Sequence, residues 1–490
     1  MNYAFIKAIY VILTSLGLAI VFNFLFFDKF IGVSVLIFIV IFLGAMFLLG
    51  LRERVSTKSV WWLLLPIIFF ALMPSIRANE FLTFLNICGI LGLLLLLTHE
   101  IHGTRVFLMR LRDYVILMTL VPLRMLGRAL STLSLVGQIH SSVKHHDIGL
   151  RVIKGVLMAV PVLIVFGVLF SQADLAFSQF VKGFVDITIS ERTMQYIVLF
   201  LVAFVGSLSF LSYVFNPKET QENQSAVAAE KSDGPVERGK GIEVMVFLGL
   251  ISALFIVFIG FQITYLFGGE SNIINAGFTY AEYARRGFFE LLAAGILSLL
   301  VLLVSEKYAR VESKSDKRFL IPALILIALV IIVIVSASKR LALYINAYSL
   351  TELRFYVAIF IMLLLVWFII LAFKFIKSKQ EQFFAFGVLL SVIASLVAVN
   401  VINPDAFIAR SNMEQYDLTG KVDMNYVARL SADAEPWKIE LFKKLGGENK
   451  EMMKVKLQKE KDKLQKSSAD WQSANISRVR ALKLLEEQGI

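Results

Sequence analysis

Three stretches of the chain bring ionisable and aromatic residues together at spacings that could support recognition chemistry. In TYAEYARRGFFEL, residues 279–291, Glu282, Arg286 and Glu290 recur every four residues. They therefore share one helical face as two opposite-charge pairs, with Tyr280, Tyr283 and Arg285 beside them. In KRLALYINAYSLTELRFYV, residues 339–357, Arg340, Tyr344, Tyr348, Glu352 and Arg354 repeat the same mixture. In INPDAFIARSN, residues 402–412, Asn403 stands just before, and Asp405, Arg410 and Asn412 after, a proline that stops a helix. Arginine forks suit phosphate and carboxylate, and tyrosines suit a membrane interface. The chemistry these residues suggest is capture of an anionic or lipid-headgroup ligand in an outward-facing pocket. The plainer alternative is structural: the same charges pair with one another and stitch helix ends together.

A second cluster holds all five histidines. His99 and His102 share a helical face beside Glu100; His140, His145 and His146 lie near Asp147. Imidazole and carboxylate can hold a divalent ion, so His99, His102, His145 and His146 are the candidate metal ligands. Histidines on solvated helix ends at an interface are the favoured reading, and no cofactor is otherwise expected. Glu290, Glu352, Asp405 and Asp423 could serve as general acids or bases in an enzyme acting on a lipid-linked substrate. No Walker loop, GxSxG elbow or zincin pattern accompanies them, which leaves enzymatic activity the least favoured of three roles. The others are ligand binding or transport, and accessory or signalling work that docks a membrane or envelope protein partner.

The elements that must position these residues are apolar helices. The chain is 58% hydrophobic and only 18% charged, a balance that a water-soluble globule does not show. About 20 helical residues cross a bilayer, and about eleven apolar runs suffice: near residues 6–27, 30–50, 60–76, 81–98, 152–171, 195–215, 243–267, 287–304, 319–337, 355–373 and 383–401. The first is read as a retained anchor, because no small-residue cleavage site follows it. The net charge of +12 has an ordinary source, since lysine and arginine gather in alternate loops. A nucleic-acid partner is not expected. The alternation places the N-terminus in the cytoplasm and the C-terminus outside.

This divides the chain into a four-span region (1–98), a cytoplasmic amphipathic segment (99–150), two spans with an external loop (151–215), a polar linker read as disordered (216–241), a five-span region (242–401) and an extracytoplasmic helical tail (402–490). Within the second part, residues 113–139 are broken by Pro122 and read as a helix lying along the inner leaflet. Residues 436–466 read as one solvated helix, and the closing amphipathic helix carries Trp471 as an anchor. The single cysteine, Cys88, excludes a disulfide framework.

YARRGFFEL, LALYINAYSLTELRFY, INPDAFIARSN and DWQSANISRVRAL together resemble the bacterial membrane family catalogued as domain of unknown function 4173, in order over roughly residues 150–490. Where that family's tyrosine motif usually carries glycine before Leu-Thr, this chain has Ser349. The resemblance implies a polytopic protein of the bacterial plasma membrane with no assigned activity, substrate or cofactor. The expected fold is all-α: a polytopic transmembrane helical bundle with a small helical extramembrane C-terminal region.

Overall fold

The computed structural model of the chain describes residues 3–52, 61–101, 105–138, 191–215, 241–266, 288–309 and 317–490. Among these the fold is helical throughout, without strands. The long helices are α1 (Tyr3–Phe26), α2 (Ser34–Arg52), α3 (Trp61–Ile76), α4 (Glu80–Ile101), α5 (Leu111–Gln138), α6 (Glu191–Val214), α7 (Gly241–Leu266), α8 (Phe288–Ala309), α9 (Lys317–Tyr348), α10 (Glu352–Ile376) and α11 (Glu381–Ile402). Nine helices among the described residues are long and apolar enough to cross a membrane, and Ser34–Gly50 and Trp61–Ile76 are shorter apolar helices. Many large side chains remain on their outer surfaces, including Phe24, Trp61, Leu65, Leu250 and Phe261. Such a surface suits lipid and would be a liability in water. Of the expected spans, 152–171 lies outside the described residues.

The helices form two cores. Helices α1 to α6 share one, around Leu63, Phe70, Leu97 and Leu211; α7 to α11 share another, around Leu302, Val330, Leu364 and Phe368. Helix α11 joins them, since Ala385 packs in the first and Phe384 in the second. Higher along α11, the fully buried amides of Asn86 and Asn400 exchange hydrogen bonds of 2.9 and 2.7 Å. A polar pair between apolar helices fixes register, because any slip leaves both amides unsatisfied in hydrocarbon.

Local contacts establish which helix ends lie together. At one end, Asp28 pairs with Arg192, and Arg77 Nε donates to the carbonyl of Asn400. At the opposite end, Lys374 pairs with Glu306 at 2.5 Å, the Phe319 and Phe375 rings meet, and Gly50 approaches Phe215. Helix α5 belongs to that second end. It runs unbroken through Pro122. Arg110 pairs with Glu381 at 4.0 Å, and Arg128 stacks on Tyr213. These arginines are eighteen residues apart, about 27 Å along a helix, yet both meet partners at the same end. On length and composition Leu111–Leu133 could cross, and it also packs inward, Met118 lying against Gly92 of α4.

Beyond α11 the chain turns at Asn403, left-handed with φ 61°, and Pro404 opens the next helix at its first position. The tail comprises α12 (Pro404–Thr419), α13 (Met424–Val427), α14 (Glu435–Lys444), α15 (Gly447–Ser467) and α16 (Ile476–Glu487). The single helix expected over 436–466 is thus two, broken where Gly447 takes φ 57°. The tail has its own small core, built on Val427, Leu441, Met453, Leu457 and Leu485.

The tail covers the first end of both bundles. Lys29 pairs with Asp470, Phe30 N–H donates to Ser473 Oγ, and Val33 N–H donates to the Ala474 carbonyl. A Cβ on Gly32 would lie 2.6 Å from that same carbonyl, so the close approach requires glycine. Asn475 donates to the carbonyls of Pro74 and Arg77. Trp471 precedes the closing helix instead of lying within it, and its ring sits 6.3 Å from that of Phe24.

Candidate functional site

Three helix N-termini converge beneath the tail, each with a carboxylate in its first turn: Glu80 of α4, Glu352 of α10 and Asp405 of α12. The partial positive charge of a helix N-terminus stabilises such carboxylates as anions. Asn79 caps α4, its Oδ1 accepting from Leu82 N–H at 2.7 Å, while its Nδ2 donates to Glu352 Oε1 at 2.6 Å. The N–H of Glu352 donates to the Tyr426 hydroxyl, also at 2.6 Å.

Asp405 is 1% exposed. Its Oδ2 accepts from Ser431 N–H at 2.9 Å, and its Oδ1 has no hydrogen-bond partner. The same carboxylate lies near enough to Glu352 to interact with it directly. Among the described residues no lysine or arginine forms an ion pair with either group.

A third carboxylate locks the tail onto the turn between α3 and α4. Asp433 Oδ2 accepts from the N–H groups of Ala78 and Asn79, at 2.7 and 3.1 Å, and its Oδ1 accepts from Ser477. Burial pushes the Asp433 carboxyl above its usual range, while the bonds from Ser477 and Ala78 pull it partly back. Burial likewise pushes the Tyr426 hydroxyl up to about 12, with the negative field of Glu352 and Asp405 adding to it. Tyr426 is therefore neutral at any physiological pH, its oxygen accepting from Glu352 N–H.

Glu352 and Asp405 line a cavity of about 490 Å³, with Asn79, Glu80, Phe81 and Phe30 on the helix side and Arg429, Ser431, Glu460, Lys463 and Arg478 on the tail side. Burial lowers the Arg478 pKa, and Glu80, Asp433 and Glu460 counter that effect. Its guanidinium lies over the Phe30 ring.

Among the described residues, those singled out from sequence that line this cavity are Glu352 and Asp405. Arg354 is turned away: its Nη1 donates to the carbonyls of Tyr348 and Ser349, and its guanidinium lies 4.1 Å from the Tyr344 ring and 5.9 Å from that of Tyr348. It closes the end of α9 through backbone carbonyls and tyrosine rings, not through an opposite charge. Asn412 is buried and donates to the carbonyls of Leu350 and Ile408. Arg410 pairs with Glu414 on the surface and stacks on Trp437. Asn403 forms the turn before α12, and Arg340 is buried within α9. Glu290 is exposed in the first turn of α8; Tyr283, Arg285 and Arg286 lie outside the described residues.

His99 sits near the end of α4, and His102, His145 and His146 lie outside the described residues. Among the described residues no group of three histidine, cysteine or acidic side chains is placed to hold a metal ion.

Sequence reasoning missed Asn79, Arg429, Ser431, Lys463 and Arg478 as parts of one site. Asn79 carried a local signal, an asparagine just before an apolar helix. Nothing local marks its partnership with Glu352.

A family model described as a domain of unknown function (DUF4153) matches residues 64–441, more than three quarters of the chain. The chain belongs to this family. The number differs from the 4173 read from the motifs, and the expectation of an uncharacterised family holds. No curated protein and no solved structure matches the chain.

Proposed function

We propose that this protein is a membrane-embedded binding protein or transporter that takes a small polar ligand at its non-cytoplasmic face. The observation that carries this reading is the cavity of about 490 Å³ beneath the tail, of small-molecule size and lined by the buried Asp405 beside Glu352. Orientation follows from charge. Arg105, Arg110, Arg112, Lys307, Lys317, Arg318, Lys377 and Lys379 lie at or beside the helix ends away from the tail, and such basic loops remain cytoplasmic. The tail and cavity then face outward in a bacterial plasma membrane.

The test is ligand-dependent stability of the full chain in phosphatidylcholine nanodiscs, against inorganic phosphate, ethanolamine and phosphoethanolamine. Binding to the native state alone raises the melting temperature by mass action. At least one solute should raise it, and Asp405→Asn should remove the shift while keeping wild-type helicity. No shift with any of the three would overturn the reading. A second reading, paired-carboxylate chemistry on a lipid-linked substrate, is favoured by the Glu352–Asp405 contact; it requires turnover, whereas binding returns the ligand unaltered.

A further inference from the structure

We infer that the tail carries a lipid-binding edge: Trp471, Ile476 and Val479 enter the leaflet on the tail's side of the membrane, and Arg480 and Lys483 meet its phosphate groups. The inference rests neither on the cavity nor on which side of the membrane the tail occupies.

Depth is the first argument. Residues 470–477 run along the ends of three apolar helices. Asp470 pairs with Lys29 just beyond α1, and the Ala474 carbonyl accepts from Val33 N–H just before α2. Asn475 donates to the carbonyls of Pro74 and Arg77, and Ser477 Oγ to that of Ile76, all at the end of α3. This stretch therefore lies at the level where apolar helices leave hydrocarbon, the zone that tryptophan favours.

Continuity is the second. Leu13, Leu16, Ile20 and Phe24 recur along α1 at steps of three and four residues, and all are exposed. They form one lipid-facing stripe. The stripe ends at Phe24, whose ring lies 6.3 Å from that of Trp471. Trp471 is itself 55% exposed, so the apolar surface of the span continues onto the tail through this ring contact.

The third argument is the pattern of α16. Ala481 and Leu485 bury one side of it in the tail core. Ile476 and Val479 leave 63% and 56% of their surfaces exposed on the opposite side. Arg480 and Lys483 are exposed on that same side, about a turn further along. Lys483 stands 3.9 Å from Glu487, a contact between exposed groups that is too weak to keep it from lipid. A helix that is apolar where it meets the membrane and basic one turn later suits the headgroup layer. Its apolar residues enter that layer, and its long basic chains reach phosphate. Arg478 lies on the other side of the same turn and lines the cavity, so the leaflet holds a helix that also encloses the cavity.

The test uses the full chain in phosphatidylcholine nanodiscs, one copy to a disc, in a Cys88→Ser background. A fluorophore is attached to Ile476→Cys, to Val479→Cys or, as a control, to Lys454→Cys on α15, all exposed positions where substitution is well tolerated. Lipid spin-labelled near the top of its acyl chain should quench the first two roughly twofold or more above the third, and aqueous iodide should show the reverse order. Adding phosphatidylglycerol should deepen the lipid quenching at Ile476→Cys, and Arg480→Gln with Lys483→Gln should abolish that gain.

Equal lipid quenching at all three positions, with iodide reaching them equally, would overturn the inference by placing the edge in water. Shielding of Ile476→Cys and Val479→Cys from iodide without lipid quenching would overturn it by placing protein on this face. A phosphatidylglycerol effect that is absent, or that survives the double variant, would overturn the role given to Arg480 and Lys483.

Discussion

Asn79 and Glu352, 273 positions apart, share a 2.6 Å hydrogen bond that ties the cap of α4 to the first turn of α10. One side chain thereby caps a helix and positions a carboxylate of the cavity. Asn79→Ala removes both, the cap worth about 1 kcal/mol and the bond to a charged group about 1.5–3 kcal/mol. A loss of about 2–4 kcal/mol is expected in denaturant titrations of the nanodisc-embedded protein. A loss below about 0.5 kcal/mol would show that the bond does not hold the site.

Asp433 makes a different prediction, one in pH. Its folded carboxyl titrates above the usual range because it is buried. The folded state therefore binds this proton more tightly than the unfolded chain does. Its contribution is most favourable at pH below about 4, the ordinary carboxyl range, and declines as pH rises through the folded pKa. Asparagine at this position can still accept from Ala78 and Asn79 and can donate to Ser477 Oγ. Asp433→Asn should thus gain on wild type as pH rises from 4 to 8 in thermal melts. Asp433→Ala, which leaves two backbone N–H groups unpaired, should lose about 2–4 kcal/mol. A wild type that gains on Asp433→Asn with rising pH would contradict the assignment.

Within the tail, Glu435 and Lys438 form a fully buried pair at 3.1 Å, and Lys438 also donates to the Leu430 carbonyl at 2.6 Å. Burial pushes the Glu435 carboxyl up, against the pull of Lys438. Removing one partner strands the other, so Lys438→Met should cost about 3–5 kcal/mol. The double variant Glu435→Leu with Lys438→Met should be more stable than Lys438→Met alone. Additive losses in the double-variant cycle would count against a coupled pair.

Ser349 takes φ 67° at the turn that Arg354 closes. A side chain in the left-handed region is strained where glycine is not, so Ser349→Gly should raise stability by up to about 1 kcal/mol. Arg354→Ala should lower it by about 1–2 kcal/mol through lost stacking and carbonyl bonds. It should change phosphoethanolamine affinity less than threefold, because the guanidinium faces away from the cavity. A loss of binding beyond tenfold would return Arg354 to the site.

The helices were legible because a bilayer demands long apolar runs, whatever their neighbours. The tyrosine–arginine grouping was also legible, since Tyr344, Tyr348 and Arg354 are local to one turn and do pack together. Their purpose was not: whether an arginine faces a ligand or a helix end depends on the carbonyls of Tyr348 and Ser349, and sequence does not show where those point. Glu352 and Asp405 were found by type, each acidic at the start of a helix. Ser431, Arg429 and Arg478 were not joined to them, because tertiary packing brings them together across a tail whose own fold decides the geometry. Pro122 depends on packing in the same way. Leu117, Val121 and Met125 pack in the first core, and that packing holds α5 together where isolated proline would break it.

Ligand uptake from outside requires that the cavity and the tail share the non-cytoplasmic side. Labelling of intact cells with a membrane-impermeant maleimide tests it directly, in a Cys88→Ser background with single cysteines at Ser468 in the tail or Gln380 at the other helix end, both exposed or flanking exposed surface. The account predicts that Ser468→Cys reacts in intact cells and Gln380→Cys only after permeabilisation. Reaction of Gln380→Cys in intact cells with Ser468→Cys protected would contradict it.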